Sequence, residues 1–338
     1  MSEFAVRRAR AVGFDPFTLG LTIFPTERCN FRCVYCYEIF PNLQLDDAVT
    51  SSILQLLEKR SHDLRVLSIG WFGGEPLLAS ERVLEIGSFA RNLSLKRGFE
   101  FHSHMTTNAS LLDLCLFERL LCSGITNFQI SLDGTEEEHN KTRRGRKGEG
   151  TYSQIVENLL RMRQSRRPFE VTLRLHVHDH NVQSILELID RVGEWFKGDK
   201  RFKVNIQRIM NYGGVRKNPL KLATAETEVN LHALLANSLP ASQILETGST
   251  LQCCYASLPN HFVIRANGKV QKCTVALYDE RNNVGELAAD GSISWTDQQR
   301  LTSWSAGLFE GDLEKMLCPW KVMQREGKTS KSDSTDVR

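Results

Sequence analysis

Three cysteines in one octapeptide constrain this chain more than any other feature. Cys29, Cys33 and Cys36 stand in Cys29-Asn30-Phe31-Arg32-Cys33-Val34-Tyr35-Cys36, directly after the short apolar run 19–25. That run reads as a buried strand, which places the thiols on the loop beyond it. A disulfide framework does not suit so short a loop. A zinc site usually wants four protein ligands in tighter pairs. The C-x3-C-x2-C spacing instead suits three corners of a cubic iron–sulfur cluster, whose fourth iron then lacks a protein ligand. An open iron can bind a small molecule, so the loop suggests chemistry as well as electron storage.

The spacing resembles that of the radical S-adenosylmethionine (radical SAM) superfamily. The resemblance implies a [4Fe–4S] cluster on Cys29, Cys33 and Cys36, with S-adenosylmethionine chelating the open iron. It also implies reductive cleavage to a 5′-deoxyadenosyl radical that removes hydrogen from a substrate. Tyr35, the aromatic before the last cysteine, would lie near the adenine.

Composition narrows the setting. The chain has 338 residues, enough for one large domain and a smaller one. Its 41% hydrophobic and 25% charged residues are ordinary for a globular protein. No stretch approaches a membrane span, and Met1–Arg8 lacks a signal-peptide apolar core. A cytoplasmic location and no membrane partner are therefore expected. Nine cysteines then point to metal or catalysis. A net charge of +3 does not argue for nucleic acid.

Strand and helix signals alternate, which predicts a parallel α/β sheet. Strands are expected over 19–24, 64–72, 100–106, 127–132, 170–177 and 202–209. Helices are expected over 46–60, 80–95, 111–123, 152–165 and 182–197, the third opened by a capping box of Ser110 and Asp113. Cys115 and Cys122, seven apart on that helix, are expected to be buried as small hydrophobes. Six strands fall short of the eight in a full barrel. The resemblance implies a partial (β/α)6 barrel, similar to a TIM barrel, with the cluster at the C-terminal strand ends.

Further motifs fall at those ends. Gly73-Gly74-Glu75-Pro76 follows the second strand, where adjacent glycines permit close backbone approach and Glu75 offers a carboxylate. It resembles the family's GGEP motif, which implies binding of the cofactor's amino group. Asn108 closes the third strand, resembling a Thr-Asn turn beside the active site; an ordinary strand-ending turn reads nearly as well. Ser131 and Asp133 in Ile130-Ser131-Leu132-Asp133-Gly134, with His139-Asn140 and Arg143 beyond, resemble the S-[IL]-D-G…H-[DN]-x-x-R pattern of peptide-modifying members. That implies cofactor contacts for Ser131, with Asp133 nearby. The basic run 141–147 reads as a solvated loop, or as a surface for an acidic leader peptide, Arg143 excepted. Arg174 lies inside an apolar strand, where a charge needs a partner; the resemblance assigns it the cofactor carboxylate. His176, His178 and His180 alternate along that strand, but no fourth ligand supports a metal triad. His176 stands where the family usually has asparagine, a departure that suits a particular substrate.

The C-terminal region holds Cys253, Cys254, Cys273 and Cys318. The Asn267-Gly268 pair predicts a hairpin of 262–265 with 269–273. Cys254, Gly268 and Cys273 resemble the C-x9–15-G-x4-C opening of SPASM and twitch domains, and Cys318-Pro319 fits a later ligand. Four cysteines imply one auxiliary [4Fe–4S] cluster at most, with Cys253 or Cys254 left as a spare thiol or an open iron. A structural zinc site is the simpler reading.

The expected organisation is an N-terminal extension (1–17), a radical SAM core (18–215), a linker with one helix (216–252), a twitch- or SPASM-like iron–sulfur domain (253–324) and a disordered tail (325–338). The function implied is hydrogen abstraction from a ribosomally made precursor peptide, followed by a carbon–carbon cyclophane or thioether cross-link. A peptide epimerase, with Cys253 or catalytic Cys254 returning a hydrogen atom, is one alternative; a formylglycine-generating sulfatase maturase is another. From a different class, a non-catalytic iron–sulfur redox or binding protein remains. The extension is too short for a peptide-recognition domain, so a separate recognition protein is expected, together with an electron donor such as flavodoxin or ferredoxin.

Overall fold

Apolar residues alternate with polar ones along the strands, so each strand has one face suited to helices and one suited to a polar interior. The computed structural model describes residues 3–212, 219–245 and 253–332. The first part runs α1 (Glu3–Gly13), β1 (Thr18–Ile23), α2 (Asp47–Arg60), β2 (Val66–Trp71), α3 (Ser80–Arg97), β3 (Glu100–Thr107) and α4 (Leu114–Cys122). It continues through β4 (Asn127–Leu132), α5 (Glu136–Thr142), α6 (Tyr152–Met162), β5 (Glu170–Val177), α7 (Val182–Trp195), β6 (Phe202–Arg208) and α8 (Ala225–Ser238). The remainder is β7 (His261–Ile264), β8 (Lys269–Gln271), β9 (Asn283–Leu287), β10 (Ile293–Trp295), α9 (Gln298–Glu310), α10 (Leu313–Leu317) and α11 (Pro319–Ser332).

Strands β1 to β6 pair in parallel in chain order. The sheet does not close, so this is a partial barrel. The free edge of β1 instead takes β7 in parallel, and β8, β9 and β10 follow antiparallel, giving one ten-stranded sheet. The C-terminal hairpin thus extends the barrel's own sheet. Its turn forms at Asn267-Gly268, where Gly268 takes φ 80°.

On β5, Val171, Leu173, Leu175 and Val177 are buried, while Glu170, Thr172, Arg174 and His176 are only half-buried. A filled barrel would carry branched apolar residues on both faces. Here the interior face is polar and lines open space.

Several local expectations change. Asp113 itself caps α4, accepting from Leu116 N at 2.8 Å, while Ser110 Oγ turns to Asn108 Oδ1 at 2.8 Å. The buried stripe of α4 is Phe117, Leu120 and Leu121, so Cys115 and Cys122 share the exposed face. Residues of the 1–17 segment form α1, which packs Ala9 against Leu308; Arg10 donates to Leu308 O and Phe309 O near the end of α9. The tail is helical through Ser332, because α11 is anchored by Trp320 stacked on Trp304 and by the Arg325–Glu314 ion pair. The rest of the tail, 333–338, and the loop and linker segments 213–218 and 246–252 lie outside the described residues. No helix among the described residues is long and apolar enough to cross a membrane.

Candidate active site

The cysteine loop is clasped by the segment after α5. Arg32 N donates to Arg144 O at 2.7 Å, Val34 N to Thr142 O at 2.9 Å, and Arg146 N to Asn30 O at 3.1 Å. The basic run is therefore a backbone clasp. Arg144, Arg146 and Lys147 point to solvent, Lys141 pairs with Glu137 and Glu138, and Arg143 is buried beneath the loop. Cys29 is buried, whereas Cys33 and Cys36 are partly exposed. Burial pushes all three thiols up, Cys36 to about 12. A metal charge is what would hold them as thiolates.

Gly73 and Gly74 adopt φ 87° and 51°, and a Cβ on Gly74 would stand 2.0 Å from Arg28 O. Glycine is thus required where this turn meets the cysteine loop. Glu75 is 1% exposed and already accepts from Thr107 Oγ1 (2.6 Å), Asn108 N (2.7 Å) and Leu77 N (3.1 Å). Its carboxylate fastens the end of β3 to the turn rather than standing free. Asn108 Nδ2 donates to Asn30 Oδ1 at 2.8 Å, linking the same strand end to the cysteine loop.

Asp133 is fully buried. Its Oδ1 accepts from the Tyr35 hydroxyl at 3.1 Å, and its Oδ2 from Thr142 Oγ1 at 2.6 Å. Arg143 Nη1 donates to the Tyr35 oxygen at 3.0 Å. His176 Nδ1 lies 3.1 Å from that oxygen and 3.4 Å from Asp133 Oδ1. Of the three alternating histidines, His178 turns into the protein at the strand end and His180 is exposed, so they do not converge. Register places Ser131 beside Arg174 on the neighbouring strand.

Two adjoining cavities open at this end of the sheet. One, of about 140 Å3, is lined by Cys29, Cys33, Cys36, Gly73, Asn108 and Ser131 among others. The second, of about 300 Å3, shares Tyr35, Cys36 and Ser131 and extends past Arg174 and His176 to Tyr212 and Thr274. Glu38 also lines the first cavity; it accepts from Gly74 N at 2.9 Å, and burial raises its carboxyl to about 7. Sequence reasoning missed Glu38 at the first cavity and Tyr37 and Tyr212, which line the second. Only proximity to Cys36 could have drawn attention to the first two.

Burial, then the neighbouring thiols Cys254 and Cys318, pushes Cys273 up to about 12; Cys254, Cys273 and Cys318 all act electrostatically on Tyr212. These three thiols therefore lie near one another and near Tyr212, which lines the larger cavity. Cys253 turns away and packs with Ala9, Leu308 and Met316. Its inclusion among the metal ligands is not supported by this orientation, because adjacent side chains diverge. Among the described residues no three His, Cys, Asp or Glu side chains gather on one metal-ion position. A cubic cluster takes each thiolate on a separate iron, whereas zinc gathers its ligands about one ion.

A family model described as the radical SAM superfamily matches residues 23–192, half of the chain. The chain belongs to the radical SAM superfamily. Among curated relatives it is 28% identical to the PqqA peptide cyclase of Gluconobacter oxydans over 197 residues, covering 57% of this chain and 50% of that protein. It is 25% identical to the Fe-coproporphyrin III synthase of Methanosarcina barkeri, covering 50% and 39%. The chain thus spans about half the length, or less, of the curated relatives it matches. Among solved structures, anSMEcpe with bound AdoMet and Kp18Cys peptide superimposes with a TM-score of 0.63 at 18% identity, covering 84% of this chain and 80% of that one. Streptococcus suis SuiB bound to its precursor peptide SuiA gives 0.61 at 16%, covering 83% and 65%. These likenesses establish the fold.

This radical SAM enzyme requires, by family, a [4Fe–4S] cluster and S-adenosylmethionine. The residues present fit them. Three thiols line one cavity, and Arg143 Nε and Arg174 Nε are buried without a partner, as a site for an anionic group demands.

Proposed function

We propose that this radical SAM enzyme modifies a ribosomally made precursor peptide, forming an intramolecular carbon–carbon or thioether cross-link. The observation that carries the reading is the 300 Å3 chamber, bounded on one side by Tyr35 and Cys36 and on the other by Tyr212 and Thr274. The cysteine loop borders it through Cys36, and Tyr212 on its other side feels the three C-terminal thiols electrostatically. The PqqA cyclase resemblance, and the peptides bound in the two superimposed structures, favour a peptide as occupant.

In this reading Cys29, Cys33 and Cys36 hold the cluster. When bound, the cluster and S-adenosylmethionine supply a 5′-deoxyadenosyl radical that takes a hydrogen atom from the substrate. Gly73 and Gly74 present backbone to the cofactor's amino group, with Glu75 fixing the turn through Thr107 and Asn108. Ser131 and Arg174 face its polar groups, Arg174 Nε offering a donor to a carboxylate. Asp133 acts at one remove, by holding Tyr35. Cys254, Cys273 and Cys318 are the residues that would hold an auxiliary cluster, which would supply an acceptor for the second electron, and an external flavodoxin or ferredoxin would supply the first. An epimerase would need Cys253 or Cys254 to return a hydrogen atom; Cys253 packs with Ala9, Leu308 and Met316, which leaves Cys254 as the donor in that alternative.

The test is anaerobic reconstitution, reduction with dithionite, and measurement of 5′-deoxyadenosine with and without a synthetic peptide encoded by any short open reading frame found to adjoin the gene. Formation of 5′-deoxyadenosine that is abolished by Cys33→Ala is expected. The peptide should lose the mass of two hydrogens. Absence of 5′-deoxyadenosine would refute the radical reading, and unchanged mass with one deuterium gained from solvent would replace cross-linking by epimerisation.

A further inference from the structure

The two ring nitrogens of His176 have different neighbourhoods. Nδ1 faces the Tyr35 oxygen at 3.1 Å and Asp133 Oδ1 at 3.4 Å. The single Tyr35 hydroxyl proton is already donated to Asp133 Oδ1, and Arg143 donates to the Tyr35 oxygen. Both atoms opposite Nδ1 are thus acceptors, so Nδ1 carries the proton and Nε2 the lone pair. Asp133 is sealed beneath the chamber, whereas His176 lines it together with Arg174, Arg208 and Tyr212. Anchoring Nδ1 below leaves Nε2 on the chamber side.

The electrostatics keep the ring ready. Burial, with the charges of Arg174 and Arg143, lowers His176 to about 4, while Asp133 pulls in the other direction. The imidazole is therefore neutral at physiological pH. Against a burial cost that pushes it up, the His176 hydrogen bond and the Arg143 and His139 neighbours hold Asp133 well below the usual carboxylate range. An ionised carboxylate behind an imidazole orients it and stabilises the cation formed when it accepts a proton. The asparagine expected at this position has no basic nitrogen.

We propose that His176, oriented by Asp133, is the catalytic base of the chamber, its Nε2 taking the proton released when the substrate's carbon radical is oxidised. The proposal rests on the peptide-modification reading. A substrate C–H bond first breaks homolytically, the hydrogen atom leaving to the 5′-deoxyadenosyl radical. The carbon radical then gives one electron to an iron–sulfur acceptor, the cluster proposed at Cys254, Cys273 and Cys318. A second group of the peptide bonds to that carbon, and the proton of that group passes to Nε2. The substrate loses two hydrogens, one as an atom and one as a proton plus an electron. A weak base suffices, because oxidation of the radical makes the departing proton strongly acidic.

The first test is nitrogen NMR of the full-length protein carrying 15N-histidine, with His176→Asn assigning the signals. A neutral His176 ring protonated on Nδ1 at pH 7 is expected, and Asp133→Asn should abolish the single tautomer. A ring protonated on Nε2, or charged at pH 7, overturns the proposal. The second test uses the reconstituted holoenzyme and the synthetic peptide named above. Modified peptide formed per 5′-deoxyadenosine should fall about a hundredfold in His176→Asn and in His176→Gln, the lower range for loss of a general base. An unchanged ratio overturns the base role. A peptide left unmodified by the wild-type enzyme overturns the peptide reading and the base role with it, whereas a wrong tautomer overturns the base role and leaves the peptide reading standing.

Discussion

Cys253 and Cys254 are neighbours in sequence, yet their thiols belong to different parts of the molecule. Cys253 joins the contact between α1, α9 and α10, while Cys254 lies with Cys273 and Cys318. Iron content separates their roles. Cys254→Ala should lower iron from about eight to about four per chain, the loss of one cubic cluster, and Cys253→Ala should leave it near eight. Equal loss in both variants would refute the assignment. Glu75 shows the same limit of sequence reading from another side. The motif marks a carboxylate beside two glycines, but only packing reveals that Thr107, Asn108 and Leu77 already occupy it.

The hairpin β7–β8 is tied to the cysteine loop by a buried ion pair. Arg265 Nε donates to Glu27 Oε1 at 2.7 Å, and Arg265 Nη2 meets Glu27 Oε2; the two residues are 6% and 1% exposed. Arg265 also donates to Leu277 O at 2.8 Å. Removing one partner of a buried pair strands the other charge. Arg265→Met should therefore cost about 3–5 kcal/mol in urea denaturation, and the double variant with Glu27→Gln should recover part of that. A loss below about 1 kcal/mol for Arg265→Met would show that the pair does not secure the hairpin. At this scale the sequence was informative about strands β1 to β6, because their alternation and length are local properties. It was silent on the pairing of β7 with β1, since edge pairing depends on which strand lies exposed after the barrel fails to close.

Across the whole molecule, one buried and two largely enclosed neutral histidines link folding to pH. Burial lowers His139 and His261 to about 3 and His176 to about 4. The unfolded chain binds these protons near pH 6.5, and the folded protein does so only near pH 3–4. Stability is therefore fully present above about pH 6.5 and is lost as pH falls toward 4, by up to about 1.4 kcal/mol per pH unit for each histidine. Denaturant midpoints between pH 7 and 4.5 should fall accordingly, and His261→Asn should flatten the slope if it folds. A midpoint independent of pH in that range would contradict the burial of these rings.

The division between sequence and structure follows from range. Cys29, Cys33 and Cys36 are fixed by spacing along one loop, and the glycines at 73 and 74 by a local turn, so both were legible in the chain itself. The alternating strands and helices likewise specified a parallel α/β sheet, because periodicity is read over a few residues; the partial barrel was implied by the family resemblance and not by the alternation. The clasp of 142–146 on the cysteine loop, the divergence of Cys253 from Cys254, and the meeting of Tyr35, Asp133, Arg143 and His176 depend on residues distant in sequence, Tyr35 and His176 being 141 positions apart. Tertiary structure alone decided these, since hydrogen bonds and burial depend on distances that only the folded sheet creates.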